Sequence, residues 1–311
     1  MNWKVKSKIQ NAVSIFPSSF SYETYYWLQR HFGGLRRVNP VKKLAAAVEI
    51  CKQISNQGES ILNKNFFELG TGREPIVPIG FWLMGAEKTV TIDLNPYLKL
   101  KLIAESLHYI SNNQNEILSL FEGFVDRKRF DCLLTLSRKV KLSLPSILDL
   151  CRIEYIAPGD AANTKLLDDS IDFYTSYNVL EHIPLPALEK IFIEGNRIIK
   201  KKGLFIHRID YSDHFSHSDN SISSVNFLQY SDKEWGSFVG NKYMYMNRLR
   251  HDDFINLFNS SRQHIIETEP DKDKRVYDLL NNEIFQLNER FNSKSKDVLS
   301  ITGSWIISQR A

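Results

Sequence analysis

The sequence predicts an α/β fold: a seven-stranded, mostly parallel sheet with helices on both faces, an N-terminal helical cap and a helical insert. Three observations carry this. From residue 65 short apolar runs alternate with helical stretches, the pattern of parallel strands joined by crossover helices. The first of these runs ends in a tight glycine turn, Gly70-Thr71-Gly72, which leads into a helix. The last two, RQHIIETEP and SWIISQR, lie around a helix near 274–290 and form a late hairpin-like pair.

In chain order, residues 1–60 read as helical and form the cap. Ser21 is the expected N-cap of YETYYWLQRHF, with Gly33-Gly34 as its stop. A second helix, PVKKLAAAVEICKQISNQG, ends at Gly58. Residues 61–311 form the main domain. NFFELG, TVTIDL, RIEYIAP, IDFYTSYN and GLFIHRI read as strands, with helices near 75–85, 96–110, 186–200 and 250–260. About 55 residues, 98–152, separate the second strand from the third, far more than a crossover needs. They are rich in helix formers and are expected to add helices over a site.

Composition narrows the function classes. With 40 Lys+Arg against 36 Asp+Glu the chain carries a charge of only +4, which argues against nucleic acid as the main partner. Apolar content of 42% suits a globular protein, and no apolar run is long enough to span a membrane. Cys51, Cys132 and Cys151 make neither a zinc pattern nor a disulfide framework, and a cytoplasmic location is expected.

The glycine turn is the most informative segment. Glycine is needed where backbone approaches a ligand or takes positive φ. Asp93 closes the next strand, 23 residues beyond Gly70, where a carboxylate can accept both hydrogen bonds of a ribose diol. Dinucleotides and S-adenosylmethionine share this geometry. A pyrophosphate needs an open, positive helix N-terminus and a third glycine. Here Pro75 takes that place and Glu74 precedes it, whereas Glu68 offers a negative partner to an ammonium. The turn therefore favours S-adenosylmethionine.

ELGTGR followed by TIDLNP resembles motifs I and II of class I S-adenosylmethionine-dependent methyltransferases, which have a Rossmann-like fold. Pro158-Gly159-Asp160-Ala161 resembles the adenine-contacting segment. The run from Ser170 to Ile183, with Leu180-Glu181-His182, resembles the fourth strand, and Arg197–Leu204 resembles the entry to the fifth. The resemblance implies that Glu68, Gly70, Thr71 and Gly72 flank the methionine moiety. Asp93 would hold the ribose, with Leu94 against the adenine. Asp160 and Ala161 would meet the adenine amino group and ring, and Asn178 would lie beside the sulfonium. One departure stands out: Glu74 occupies a place where this family often has a third glycine.

Methyl transfer to an alcohol needs alignment and a base. Candidates fall beyond the ends of strands four and five, at Glu181-His182 and in the run His207–His217. His214 is the expected base, with Asp210 or Asp213 orienting it and His182 nearby. Some related methyltransferases place a Glu three before a Glu-His pair and bind magnesium. Here Asn178 stands in that position, so a divalent metal, though conceivable at Glu181, His182 and His214, is not expected. Phe227, Tyr230, Trp235, Tyr243 and Tyr245 read equally as an acceptor wall or as ordinary packing.

The N-terminal segment 16–37 is basic and aromatic; residues 1–43 hold eight Lys/Arg and one Glu. It reads as a cap over the acceptor or as a peripheral membrane contact, and more loosely resembles the N-termini of methyltransferases encoded with surface-polysaccharide or secondary-metabolite genes. The expected function is O-methylation of a small molecule or saccharide. N-methylation of a small metabolite, a non-catalytic S-adenosylmethionine-binding module and an NAD-dependent oxidoreductase are the alternatives. The strand-four tip lacks the Pro-Pro-aromatic motif used on flipped bases.

Overall fold

The computed structural model describes every residue except 283 and 284, and every side chain among these except those of 18 and 19. Seven strands make one sheet: β1 (Asn65–Leu69), β2 (Lys88–Ile92), β3 (Ile153–Ile156), β4 (Ile171–Tyr177), β5 (Ile199–Asp210), β6 (Gln263–Lys272) and β7 (Ile301–Arg310). Their order is β3-β2-β1-β4-β5-β7-β6. The first five pair in parallel. Only β7 runs against its neighbours β5 and β6. The central strands are buried on both faces, which is why they read as continuous apolar runs. In β4, Phe173 enters one core and Tyr174 the other.

Three N-terminal helices precede the sheet: α1 (Trp3–Ser14), α2 (Ser18–Phe32) and α3 (Val41–Asn56). α2 does not start at Ser21. Pro17 takes the N-cap position with φ −50° and ψ 145°, and the Ser21 N–H already donates to the Pro17 carbonyl at 2.9 Å. Proline sets the entry because its φ suits a helix start and it has no N–H to leave unpaired. Ser21 is a buried side chain one turn inside. α3 ends as the sequence predicts, with Gly58 at φ +76°. Its Leu44, Ala47 and Ile54 are fully buried in the main core against α4 (Ile76–Leu83).

Four helices fill the gap between β2 and β3: α5 (Leu100–Asn112), α6 (Gln114–Leu120), α7 (Arg127–Ser137) and α8 (Leu144–Leu150). They do not lie over a site. Leu107, Ile117, Phe130 and Ile147 bury into the same core as α3 and α4, thickening one face of the sheet. The opposite face is covered by α9 (Leu185–Ile198), followed after α10 (Asp232–Val239) by α11 (His251–Ser260). α12 (Lys274–Asn281) and the short α13 (Lys296–Leu299) complete the chain. The helix expected near 274–290 is thus seen over its first half, and its residues 283 and 284 lie outside the described ones.

A third core sits under the long segment after β5. There Trp3 packs on Phe215 and Phe238, and Phe215, Phe227 and Trp235 are buried with it. Arg250 is also fully buried. Its guanidinium donates to the carbonyls of Tyr211 (2.6 Å), Leu299 (3.1 Å) and Ile301, tying the end of β5 to the start of β7. Burial without a carboxylate partner pulls its pKa down to about 10.

Candidate active site

Strand order reverses at β1, whose neighbours β2 and β4 carry the chain to opposite sides. In open α/β sheets a crevice forms beyond the strand ends at such a point. A cavity of about 580 Å³ opens there, lined by Gly70, Asp93, Leu94, Gly159, Asp160, Ala161, Val179, His182 and the first turn of α9, among others. Tyr97 lines it too, its N–H donating to the Tyr155 hydroxyl at 3.0 Å. None of the lining residues comes from 98–152.

Gly70 shows why the turn needs glycine. Its φ is +86°, and a Cβ there would lie 2.8 Å from Val179 Cγ2. The Gly72 N–H donates to Asp93 Oδ2 at 2.8 Å, so the turn and the β2 end brace each other. Burial pushes Asp93 up to about 7, against the pull of that N–H. Asp160 is exposed, with Oδ1 accepting from the Ala162 N–H at 2.9 Å, and Leu94 is exposed at the rim. Asn178 takes φ +55°, and its Oδ1 is buried without a hydrogen-bond partner.

Four expected cofactor contacts, Glu68, Thr71, Gly72 and Asn178, are not part of the cavity wall. Glu68 is buried behind the turn, outside the cavity wall, with Oε2 accepting from the Thr91 hydroxyl at 2.7 Å. Burial pushes it up to about 8. The Thr71 hydroxyl bonds to the same Thr91 and is likewise absent from the wall. Strand alternation explains both: a residue at the strand end faces either the ligand or the layer beneath. Glu74 is also turned inward. Lys43 of α3 sits 2.7 Å from its Oε2, and the Ser106 hydroxyl of α5 donates to Oε1.

The second half of the site follows β4 and β5. Asp210 Oδ2 lies 3.3 Å from His214 Nε2 and 3.7 Å from His217 Nε2. Burial would raise the Asp210 pKa, but His214 and the Ser212 N–H outweigh it and hold the carboxyl at about 2. His182 stacks edge-on to His214 at 4.8 Å and gives Nδ1 to the Tyr245 carbonyl at 2.7 Å. Burial, then His214, pulls His182 down to about 4.

Asp213 does not orient His214. It is fully buried, with Oδ1 accepting from the Phe215 N–H at 2.9 Å and Oδ2 from Asn226 at 3.1 Å, and so shapes the loop. His207 is a core residue: Nδ1 meets the Ser176 hydroxyl at 2.7 Å and the ring packs on Phe258. Phe227 and Trp235 belong to the third core, whereas Tyr243 stacks on Tyr25 of α2 and Tyr22 reaches Tyr97.

Comparisons with known proteins bear on this arrangement. Residues 140–207, which hold β3, β4 and most of β5, match the family described as "Methyltransferase domain". No curated protein matches the chain. Among solved structures, a geranyl diphosphate C-methyltransferase from Streptomyces coelicolor A3(2) is similar at 9% identity over 86% of this chain and 79% of that one, with TM-score 0.46. A SAM-dependent methyltransferase from Methanosarcina mazei is similar at 14% identity over 83% and 96%, with TM-score 0.43. Two carboxylates, Asp93 and Asp160, line the cavity along with Gly159 and Leu94. The chain thus matches a methyltransferase domain over residues 140–207, within a seven-stranded sheet of order β3-β2-β1-β4-β5-β7-β6.

Proposed function

We propose that the protein transfers the methyl group of S-adenosylmethionine to a hydroxyl of a small molecule or saccharide. The carrying observation is the pair His214–Asp210, placed at the ends of β4 and β5 beside the cavity residue His182. The cosubstrate supplies a methyl carbon activated by positive sulfur. Asp93 binds the ribose, Asp160 and Ala161 receive the adenine, and Asn178 Oδ1 takes a donor at the methionine end. The Asp210 carboxylate holds the Nε2 proton of His214, which leaves the Nδ1 lone pair to take the proton of the acceptor hydroxyl.

The burial of Glu74 against Lys43 removes the main reason for reading the chain as a non-catalytic binder. It also removes the electrostatic argument against a dinucleotide. Pro75 at the third-glycine position and the family match are what favour the adenosyl cosubstrate.

The test is transfer of labelled methyl to a panel of hydroxylated small molecules and saccharides. His214→Gln is expected to lower kcat/KM by about 10²–10³-fold, with S-adenosylhomocysteine affinity unchanged. Unchanged turnover with an amine acceptor would move the reading to N-methylation of a small metabolite.

We also infer a peripheral membrane contact for the cap. Ile15, Phe16, Phe20, Trp27 and Phe32 are exposed on and around α2 in a segment rich in Lys and Arg, as an anionic lipid surface would require. No helix among the described residues is long and apolar enough to cross a membrane. Co-sedimentation with phosphatidylglycerol vesicles but not phosphatidylcholine vesicles, lost in Phe16→Ser/Phe20→Ser, is the expected outcome. Equal recovery with both lipids would refute it.

A further inference from the structure

We propose that Glu181, His182 and His214 form a binding site for a divalent transition-metal ion on the acceptor side of the cavity. The starting point is Glu181. It is only 2% exposed, and no side chain hydrogen-bonds its carboxylate, which has only the backbone N–H groups of Glu181 itself and Asp210 near it. A carboxylate taken from water without a charged partner is costly, and a bound cation is one of the few ways to offset that cost. Arg208 on β5 attracts it from a distance but is paired with Asp271, and Asp210 repels it. The groups that do face Glu181 are two imidazoles: His182 Nε2 and His214 Nε2 each lie 4.0 Å from Oε1.

The tautomer of His182 is set by its surroundings. Nδ1 donates to the Tyr245 carbonyl at 2.7 Å, so Nε2 carries the lone pair and faces the carboxylate. A backbone carbonyl behind the ring is the usual support of a metal-ligating histidine. His214 Nε2 is buried, with Asp210 Oδ2 3.3 Å away, and an ion would take the place of the proton that this pair holds in the metal-free site. One donor atom from each of the three residues lies within 4.8 Å of the other two. An ion with bonds of roughly 2.0–2.2 Å fits among them with a small inward movement. Asp210 and His217 form a second such group that shares His214, so Asp210 is placed to support the ion or to complete its shell.

The donor set fixes the class of ion. Two imidazoles and one carboxylate suit Mn²⁺, Co²⁺ or Zn²⁺ and leave coordination positions open, whereas Mg²⁺ and Ca²⁺ favour oxygen donors. The metal was not expected from the sequence, and Asn178 is not among the three donors. In function the site deepens the methyl-transfer reading: an acceptor oxygen in an open position would lose its proton to water more readily than when free. His214 is then a ligand, and the ion takes over the acidifying role that His214 has alone.

The test uses full-length protein stripped with a chelator and titrated with Co²⁺, followed by visible absorption. One saturable equivalent is expected, displaced by Zn²⁺. Glu181→Gln, His182→Gln and His214→Gln should each weaken Co²⁺ by about tenfold or more, and His264→Gln, remote on β6, should not. Absence of saturable Co²⁺ binding, or equal binding in Glu181→Gln and wild type, overturns the site. Circular dichroism and S-adenosylhomocysteine titration of each variant report folding. If Glu181→Gln fails to fold, His182→Gln decides, since that side chain is partly exposed. Wild-type protein that binds Co²⁺ but no S-adenosylhomocysteine would sink the methyl-transfer reading and leave the metal site standing.

Discussion

Lys43 Nζ lies 2.7 Å from Glu74 Oε2, joining the helix that precedes the sheet to the turn that follows its first strand. Glu74 is 5% exposed, so its charge has been drawn out of the cavity and into the packing between α3 and α5. A family departure that reads in sequence as damage to a binding site is thus a structural tie.

Lys43→Met is expected to destabilise the fold by about 1–3 kcal/mol, discounted because the lysine is 42% exposed. Pairing it with Glu74→Gln should recover most of the loss, because no unpaired carboxylate would remain. Urea unfolding of the four proteins measures the coupling.

If Asp93 holds the ribose as proposed, cosubstrate binding is expected to depend on pH. Its folded pKa of about 7 stands above the ordinary carboxylate value, so the empty protein holds a proton that the unfolded chain has released. Diol donors favour the ionised form. Affinity for S-adenosylhomocysteine should therefore rise as pH increases toward about 7 and level off above it, with release of up to one proton below. Calorimetry in two buffers of different ionisation enthalpy counts that proton. By the same sign, Asp93→Asn should stabilise the empty protein at pH 8 by about 1–3 kcal/mol while abolishing binding.

Gly70→Ala combines an unfavourable positive φ with a Cβ placed 2.8 Å from Val179. Loss of S-adenosylhomocysteine binding with a fold retained by circular dichroism is the expected result. Adding Val179→Ala should relieve the clash but not the backbone strain, so binding should return only in part.

Arg250→Met should leave the carbonyls of Tyr211, Leu299 and Ile301 without their donor. A loss of about 2–4 kcal/mol follows if two or more stay unsatisfied. The loop holding His214 begins at Tyr211, so turnover should fall further than cosubstrate affinity. Denaturant melts and kinetics on the same preparation separate the two effects.

The sheet was legible because its strands carry unbroken apolar runs ended by turn residues. Gly70, Asp93 and Asp160 could be placed on one rim because each falls at the end of a parallel strand. What could not be read was orientation beneath the surface. His207, Asp213 and His214 are alike in sequence, yet one lies in the core, one shapes a loop and one pairs with Asp210. Strand alternation puts His207 on the face of Ile209 and Asp210 on the other, but nothing local separates Asp210 from Asp213. The helices of 98–152 showed their period, which tells that a face is buried and not against what. Arg248 and Arg250 carry no local sign of burial, because the carbonyls they satisfy come from distant segments.

Arg73 follows Gly72 directly, and its guanidinium lies beneath the rings of Tyr25 and Tyr26 while bonding to Gln29 of α2. The glycine turn at the mouth of the cavity is therefore also the seat of the N-terminal helices. By thermodynamic reciprocity, whatever free energy the cosubstrate gains from a seated cap is returned as added cap stability when the cosubstrate is present. Loosening the cap by Arg73→Met is accordingly expected to weaken S-adenosylhomocysteine binding, although Arg73 is absent from the cavity wall.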